Sequence, residues 1–322
     1  MKFTQIPANG SSWQERLCYK FSSEETQPQD LDIEIIDHTT NQTLGTMRLY
    51  NTNNGEIDIA PYLRDKLRLT PSTPTRAIQL TPSPSAIAVC VAVNGARSEV
   101  RHFFRAAYNP NTTGPLSYKA ISRDIRQGDA IRLTLFAQSV LDVVVTYDGV
   151  TVTQPTHLTL KTNGLPSELI IPTEHLRSIK GVDVSIQYDG GNIQTIKYVV
   201  LPKSSTAHRL VWFNPKGGIE GYTFDHALRL GYSISSEEII GVDHEIRKQV
   251  DGRQKYRICT GYDTSREIAR VVELLLSPMV FSEQSGLCTP VDVENREVNF
   301  DSKGLLHSFA LDISEEWKGG EL

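Results

Sequence analysis

The chain has 322 residues, 39% hydrophobic and 22% charged, with a formal charge of −5. That length exceeds what one ordinary core organises, so two or three domains are expected. No run reaches the roughly 18 apolar residues that cross a bilayer, and a mildly acidic chain without a basic block has no electrostatic drive towards nucleic acid or an anionic membrane.

Met1 to Gly10 lack the apolar h-region of a secretory leader, so export by the standard route is not expected. Real β pattern begins at Leu17–Phe21. Leu31–Ile35 then alternates apolar and acidic residues at period two, as a half-buried antiparallel strand does. Asn41-Gln42 turns the chain into Leu44–Tyr50, and Asn53-Asn54-Gly55 reads as a hairpin signal ahead of Glu56–Ile59. Pro61 opens a helical turn through Leu67. Pro71, Pro74, Pro82 and Pro84 make residues 70–85 a stiff loop. The core strand Ile87–Val93, the turn Asn94-Gly95 and a long strand through Tyr108 complete the first domain, residues 1–112.

Asn109 to Pro115 concentrates turn formers and reads as a linker. The second domain, 116–203, is the most regular part. Ala130–Ala137, Leu141–Tyr147, Val150–Thr153, His157–Lys161, Leu169–Pro172, Val182–Tyr188 and Ile193–Leu201 are strands of the length and spacing of a small immunoglobulin-like β-sandwich. Pro172–Leu176 fits one helical turn. Asp148-Gly149 and Asp189-Gly190-Gly191 mark turns. Pro202–Ala207 is a second linker.

The third domain, 207–322, opens with the aromatic hairpin Leu210–Phe224. Leu228–Ile234 and Gln254–Gly261 read as strands, while Ser235–Val250 is charged and ambiguous. Thr264-Ser-Arg-Glu267 fits a capping box; Ile268, Val271, Val272 and Leu275 follow at helical spacing, and Pro278 stops the helix. Met279–Phe281, Pro290–Val293 and Leu305–Ile313 read as strands packing on that helix, and Trp317 to Leu322 as a loose tail. The fold class is therefore mainly β: tandem antiparallel immunoglobulin-like β-sandwich domains followed by an α+β C-terminal module.

Reactive chemistry is sparse in this pattern. Cys18, Cys90, Cys259 and Cys288 are scattered, with no CxxC and no metal spacing, and read as buried free thiols. The eight histidines occur singly. Lys216-Gly-Gly-Ile-Glu-Gly221 lacks the Gly-Lys-Ser/Thr ending and the following helix of a phosphate cradle, so it reads as a hairpin turn. No cofactor and no metal are expected. Trp212, Phe213, Tyr222 and Phe224 remain. On paired strands alternate members face opposite sides, so about half belong to a core, and Trp212 or Tyr222 could meet a partner or stack on a sugar.

Leu210-Val-Trp-Phe-Asn-Pro-Lys-Gly-Gly-Ile-Glu-Gly-Tyr-Thr-Phe224 resembles the LxWxNxxGGxxxYxF hairpin of virion-associated proteins of Bacteroidales phages and prophages. A helix ending in Leu274-Leu-Leu-Ser-Pro278, then Val280, Pro290-Val-Asp-Val293 and a final strand from Leu305 to Ile313, is similar to the ending of the same proteins. One departure is Lys216 with three glycines within six residues, which implies a loose turn. The resemblance implies a non-catalytic tail, neck or baseplate protein made in the bacterial cytoplasm without a signal peptide. Its expected partners are other copies of itself and other virion structural proteins, with no nucleic acid and no membrane. The alternative is a carbohydrate-binding or adhesin-like module touching surface glycan through Trp212 and Tyr222. A β-sandwich hydrolase is the third reading and would need converging carboxylates.

Overall fold

A computed structural model describes residues 1–64, 69–105, 113–116, 122–148, 155–162, 164–174, 180–240, 245–284, 286–295 and 297–316. The chain is mainly β: among the described residues 60% are in strands and 6% in helices. The expected strand Val150–Thr153, the end of the turn Pro172–Leu176, the ends of the helical turn through Leu67 and of the strand through Tyr108, the start of the first linker and the tail Trp317–Leu322 lie outside the described residues.

The N-terminal module contains β1 (Lys2–Gln5), β2 (Ser11–Ser12), β3 (Cys18–Ser22), β4 (Gln29–Asp37), β5 (Gln42–Thr52), β6 (Asn54–Asp58) and α1 (Ala60–Arg64). After β7 (Gln79–Pro82), it resumes with β8 (Ala86–Val93), β9 (Ala96–Arg97) and β10 (Arg101–Phe104). Strands β1-β3-β6 form one sheet and β2-β10-β8-β4-β5 the other, with β9 on β8. The period-two residues Leu31, Ile33 and Ile35 of β4 and Val89, Val91 and Val93 of β8 bury against Tyr19, Phe21 and Ile57 of the facing sheet. This is two sheets closing one core. Asn94 and Gly95, at φ 47° and 80°, form the left-handed pair that a two-residue hairpin demands.

Two expectations fail here. Asn53-Asn54-Gly55 does not close a hairpin, because β6 pairs with β3 in the facing sheet and not with β5. The turn residues carry the chain from one sheet to the other, where a Cβ on Gly55 would strike the Phe21 ring. The long strand through Tyr108 is broken into β9 and β10. Ser98 folds back on β8, donating its amide to the Val91 carbonyl (2.8 Å) and accepting from the Val91 amide at Oγ (3.0 Å).

The middle module has β11 (Gly114–Pro115), β12 (Ser122–Arg126), β13 (Ala130–Phe136), β14 (Val140–Asp148), β15 (Thr156–Lys161), β16 (Ser167–Pro172), β17 (Gly181–Tyr188) and β18 (Ile193–Leu201). Its sheets run β11-β13-β16-β7 and β12-β18-β17-β14-β15. Leu133, Leu135, Leu169 and Ile171 of the first meet Leu141, Val143, Val182, Val184 and Ile186 of the second in a shared core. The proline-rich stretch is not wholly a loop. Its segment β7 pairs antiparallel with β16, as an edge strand, where Pro82 is tolerated because no neighbour needs its missing N–H. The Asp189 carboxylate fixes the Asp189-Gly190 turn by accepting from the amides of Gln138, Ser139 and Val140 at 2.7–3.0 Å.

The C-terminal module comprises β19 (His208–Phe213), β20 (Ile219–Phe224), β21 (His226–Ile240), β22 (Glu245–Cys259), β23 (Asp263–Thr264), α2 (Ser265–Val272), a 3-10 turn (Glu273–Leu276), β24 (Val280–Gln284), β25 (Leu287–Val293), β26 (Asp301–Lys303), β27 (Leu306–Ser308) and β28 (Ala310–Glu316). Seven strands form one sheet in the order β20-β19-β24-β25-β28-β22-β21, and β23-β27-β26 a small second one. Helix α2 packs Ile268 and Val271 on Leu210, Trp212, Leu311 and Ile313. Its cap is half the expected box. Thr264 Oγ1 accepts from the Glu267 amide (3.4 Å), but the Glu267 carboxylate turns to Arg270 (2.9 Å), and the Thr264 amide goes to Asp263 instead.

Apart from residues 241–244, which lie outside the described residues, the ambiguous stretch forms the distal end of a long β-ribbon. β21 and β22 pair over 15 residues each, whereas β28 supports β22 only from Arg253 to Cys259. The remainder is a two-stranded ribbon whose outer strand β21 has a free edge. Leu228 (64% exposed), Leu230 (47%) and Ile234 (59%) lie on it. Register shifts at Arg229/Gly231 and Glu237/Glu238 twist this edge, which blunts strand-to-strand aggregation.

Candidate functional site: the junction of the middle and C-terminal modules

The aromatic hairpin β19–β20 is the wall between two cores. Alternation along β19 sends Leu210 and Trp212 towards α2, and Val211 and Phe213 to the opposite face with Ile219, Phe281 and Leu69. Trp212, Phe213 and Phe224 are 0%, 1% and 0% exposed. Trp212 therefore offers no ring face to a sugar, which corrects the expectation that it could do so. Tyr222 alone of the four is only partly buried. Its ring stands edge-on to Phe224 at 5.2 Å, with the Arg270 guanidinium 5.9 Å above it.

The turn between the strands is pinned rather than loose. Asn214 Oδ1 accepts from the amides of Lys216 and Gly218, both at 2.9 Å, and Asn214 Nδ2 donates to the Leu116 carbonyl of the middle module at 2.8 Å. Ser85 Oγ donates to the Gly217 carbonyl at 2.8 Å, and Thr134 Oγ1 accepts from the Ile219 amide at 2.8 Å. A Cβ on Gly218 would collide with the Leu116 carbonyl oxygen. Since the amides of Lys216, Gly218 and Ile219 are already engaged, this turn is no phosphate cradle.

Behind the hairpin lie two buried charge clusters joining modules far apart in sequence. In the first, Arg132 of β13 donates to Glu168 Oε1 (2.8 Å), Glu283 Oε1 (2.7 Å) and the Ser72 carbonyl (2.8 Å). Arg209 of β19 reaches Glu283 Oε2 (2.8 Å) and the Ala130 carbonyl (2.8 Å) and lies 3.9 Å from Asp129. In the second, Glu220 takes Arg123 (3.3 Å) and Arg270 (3.0 Å). Burial opposes the Glu283 charge, but Arg209 and Arg132 outweigh it and hold its carboxyl below the usual range. Such pairs stabilise little relative to an apolar core, but breaking one strands a charge, so they fix geometry.

The stretch 69–85 is a strap across this junction. Leu69 packs with Phe213 and Phe281 of the C-terminal module, Ser72 caps Arg132, β7 joins the middle sheet, and Ser85 reaches the hairpin turn. Sequence reading did not single out Arg132, Arg209, Glu168 or Glu283. The available signal was a charged residue at an inward position of an apolar strand, as Arg132 is within Ala130–Phe136.

A cleft of about 180 Å³ opens at one end of the junction, lined by Asp124, Arg126, Tyr222, Thr223, Asp225, Tyr262 and Asp263 among others. Arg126 pairs with Asp225. Burial and the nearby Glu267 push the Asp124 carboxyl upward, and burial does the same to Asp263, which also has Glu267 and Asp124 for neighbours. Tyr262, 47% exposed, donates to Asp301 (2.6 Å) at the rim.

One constellation invites comparison with nucleophilic catalysis. Ser282 Oγ lies 3.1 Å from His208 Nε2, and Glu315 Oε1 lies 3.3 Å from the same nitrogen. A working triad needs the acid on the other ring nitrogen, so that the base is oriented while Nε2 serves the hydroxyl. Here both compete for one atom, and Ser282 is 2% exposed. Among the described residues no group of three or more His, Cys, Asp or Glu side chains could hold a metal, and no helix is long and apolar enough to cross a membrane.

No family model and no curated protein matches the chain. Among solved structures, a chain from the complex of Dpr2 Ig1-Ig2 with DIP-Theta Ig1-Ig3 is 8% identical, covering 98% of this chain and 89% of that one, with a TM-score of 0.19. The titin domains I67–I69, an E-to-A variant, give 8% identity, 98% and 87% coverage and a TM-score of 0.19. Likeness at that level carries no argument about fold or function, and the architecture rests on the strand pairings and shared cores described above.

Proposed function

We propose that the chain is a non-catalytic structural protein that works by assembly through protein–protein interfaces. In this reading its first two modules are immunoglobulin-like sandwiches and the last an α+β module. The observation that carries it is β21, the outer strand of the ribbon, which carries Leu228, Leu230 and Ile234 in the open, the composition of an interaction surface. The phage-particle setting rests on the sequence resemblance alone. Leu228→Thr, Leu230→Thr and Ile234→Thr combined in one variant test the reading. The triple variant should keep the thermal transition and lose the self-association expected of wild type in sedimentation. A wild type that stays monomeric at high concentration and under crowding overturns it.

A second reading, glycan binding, is favoured by one observation: Tyr222 and Tyr262 line the cleft beside carboxylates and Thr223, a mixture of ring faces and hydrogen-bonding groups suited to sugars. Tyr262→Ala should leave folding intact and abolish binding of whichever saccharide a panel identifies. A panel without any binder removes this reading.

A further inference from the structure

The first two modules are built on one strand plan. In each, an opening strand pairs antiparallel with its neighbour, and the next strand runs parallel to the last one of the module. These are β1 on β3 and β2 on β10 in the N-terminal module, and β11 on β13 and β12 on β18 in the middle one. The other strands match in order, β3-β6 with β13-β16 and β10-β8-β4-β5 with β18-β17-β14-β15. Apart from the short β9, one strand has no counterpart. β7 arises between β6 and β8, in the stretch 59–85, which corresponds to the much shorter 173–180 of the middle module. Yet it pairs with β16 and not with β6.

With β7 in place, β16 is buried from Ser167 to Pro172, as an interior strand is. Its counterpart β6, at the end of its own sheet, leaves Asn54 and Glu56 exposed. The register sets Leu80 opposite Leu169, and Ile78 and Leu80 pack on the core of the middle sandwich. β7 also lies against β15 of the facing sheet, so it closes that side of the sandwich. The flanking contacts of the strap are made by its backbone. The Ser83 amide donates to the Pro166 carbonyl at 2.8 Å, and the Ser72 carbonyl accepts from Arg132 at 2.8 Å. When a strand is added to a sheet edge, main-chain bonds supply affinity and the alternate side chains supply selection.

We propose that the β16 edge is a strand-acceptor site. It takes an extended segment with apolar residues at alternate positions, and residues 78–82, which belong to the N-terminal module in sequence, are the strand that completes it. The middle sandwich thus depends on a strand supplied from outside its own stretch of chain. An uncovered β16 would present unpaired backbone donors and acceptors together with the apolar positions beside them. Because the site recognises backbone and two side chains, the same sequence supplied as a separate peptide fits it.

The test is hydrogen exchange on the full chain carrying Ile78→Ser and Leu80→Ser. Amides of β13, β16 and β17 should exchange at least about tenfold faster, while those of β4 and β8 keep their wild-type rates. A synthetic peptide of residues 76–84, in excess, should restore slow exchange, and the same peptide with the two serines should not. Unchanged rates in the middle module, an equal acceleration in the N-terminal core, rescue by both peptides or rescue by neither overturns the acceptor site. Should the variant fail to fold, wild type is compared with two mild core changes, Ile186→Val in β17 and Ile33→Val in β4. The Ser83 amide should then accelerate with Ile186→Val by the same factor as the middle core, about two- to tenfold, and stay unchanged with Ile33→Val. Any other result overturns the assignment.

Discussion

Removing Glu283 and removing Arg132 should damage the junction to very different degrees, although both break the same ion pair. Glu283→Gln leaves Arg132 and Arg209, at 0% and 5% exposure, without the carboxylate they share. A guanidinium cannot escape by losing its proton. Stranding a buried charge costs about 3–5 kcal/mol. Arg132→Met is gentler. Glu283 keeps Arg209, and Glu168, unlike a guanidinium, can shed its charge by taking up a proton, so the loss is confined to donors for the Ser72 carbonyl and Glu168. That is about 1–2 kcal/mol. At about 2–4 °C per kcal/mol for a unit of 150–250 residues, Glu283→Gln should lower the calorimetric transition of the two joined modules by about 6–20 °C. Arg132→Met should lower it by about 2–8 °C. A Glu283→Gln loss below about 1 kcal/mol, or an Arg132→Met loss as large as that of Glu283→Gln, would refute the reasoning.

Trp212→Ala should cost about 3–5 kcal/mol in urea denaturation, because a fully buried indole leaves a cavity; a surface-like loss of a few tenths would contradict its placement between Leu210 and α2. Gly218→Ala forces a methyl group onto the Leu116 carbonyl, a backbone atom that cannot swing aside, and should cost about 1–3 kcal/mol in the same measurement; a loss of a few tenths would contradict that close approach. Burial works against the Asp189 charge, but the amides of Val140 and Gln138 and the Ser139 hydroxyl and amide outweigh it and hold the carboxyl at about 2. A depressed acid stabilises above its unfolded pKa, so this contribution is present above about pH 4 and fades as pH falls towards 2. Asp189→Asn should flatten the acid limb of the melting temperature, modestly, since water screens this exposed turn; an unchanged acid limb would show that the amide contacts do not form in solution.

The local sequence determined most strands and turns of the two sandwiches. Leu31–Ile35, Val182–Tyr188, Asn94-Gly95 and Asp189-Gly190 are legible because period-two burial and left-handed turn residues are properties of a few neighbouring positions. The start of α2 is legible for the same reason, through Thr264. Pairing at long range was decided only in three dimensions. Strand β6 crosses to the facing sheet, β7 leaves its own module for the middle one, and the charged stretch after Ile234 becomes half of a ribbon. Nothing local distinguishes these partners from others of equal β propensity. The candidate site divides in the same way. The alternation that separates Trp212 from Phe213 can be read from the strand, whereas Arg132 and Glu283 lie 151 residues apart, and charge compensation between them exists only once two separately folded sheets have docked.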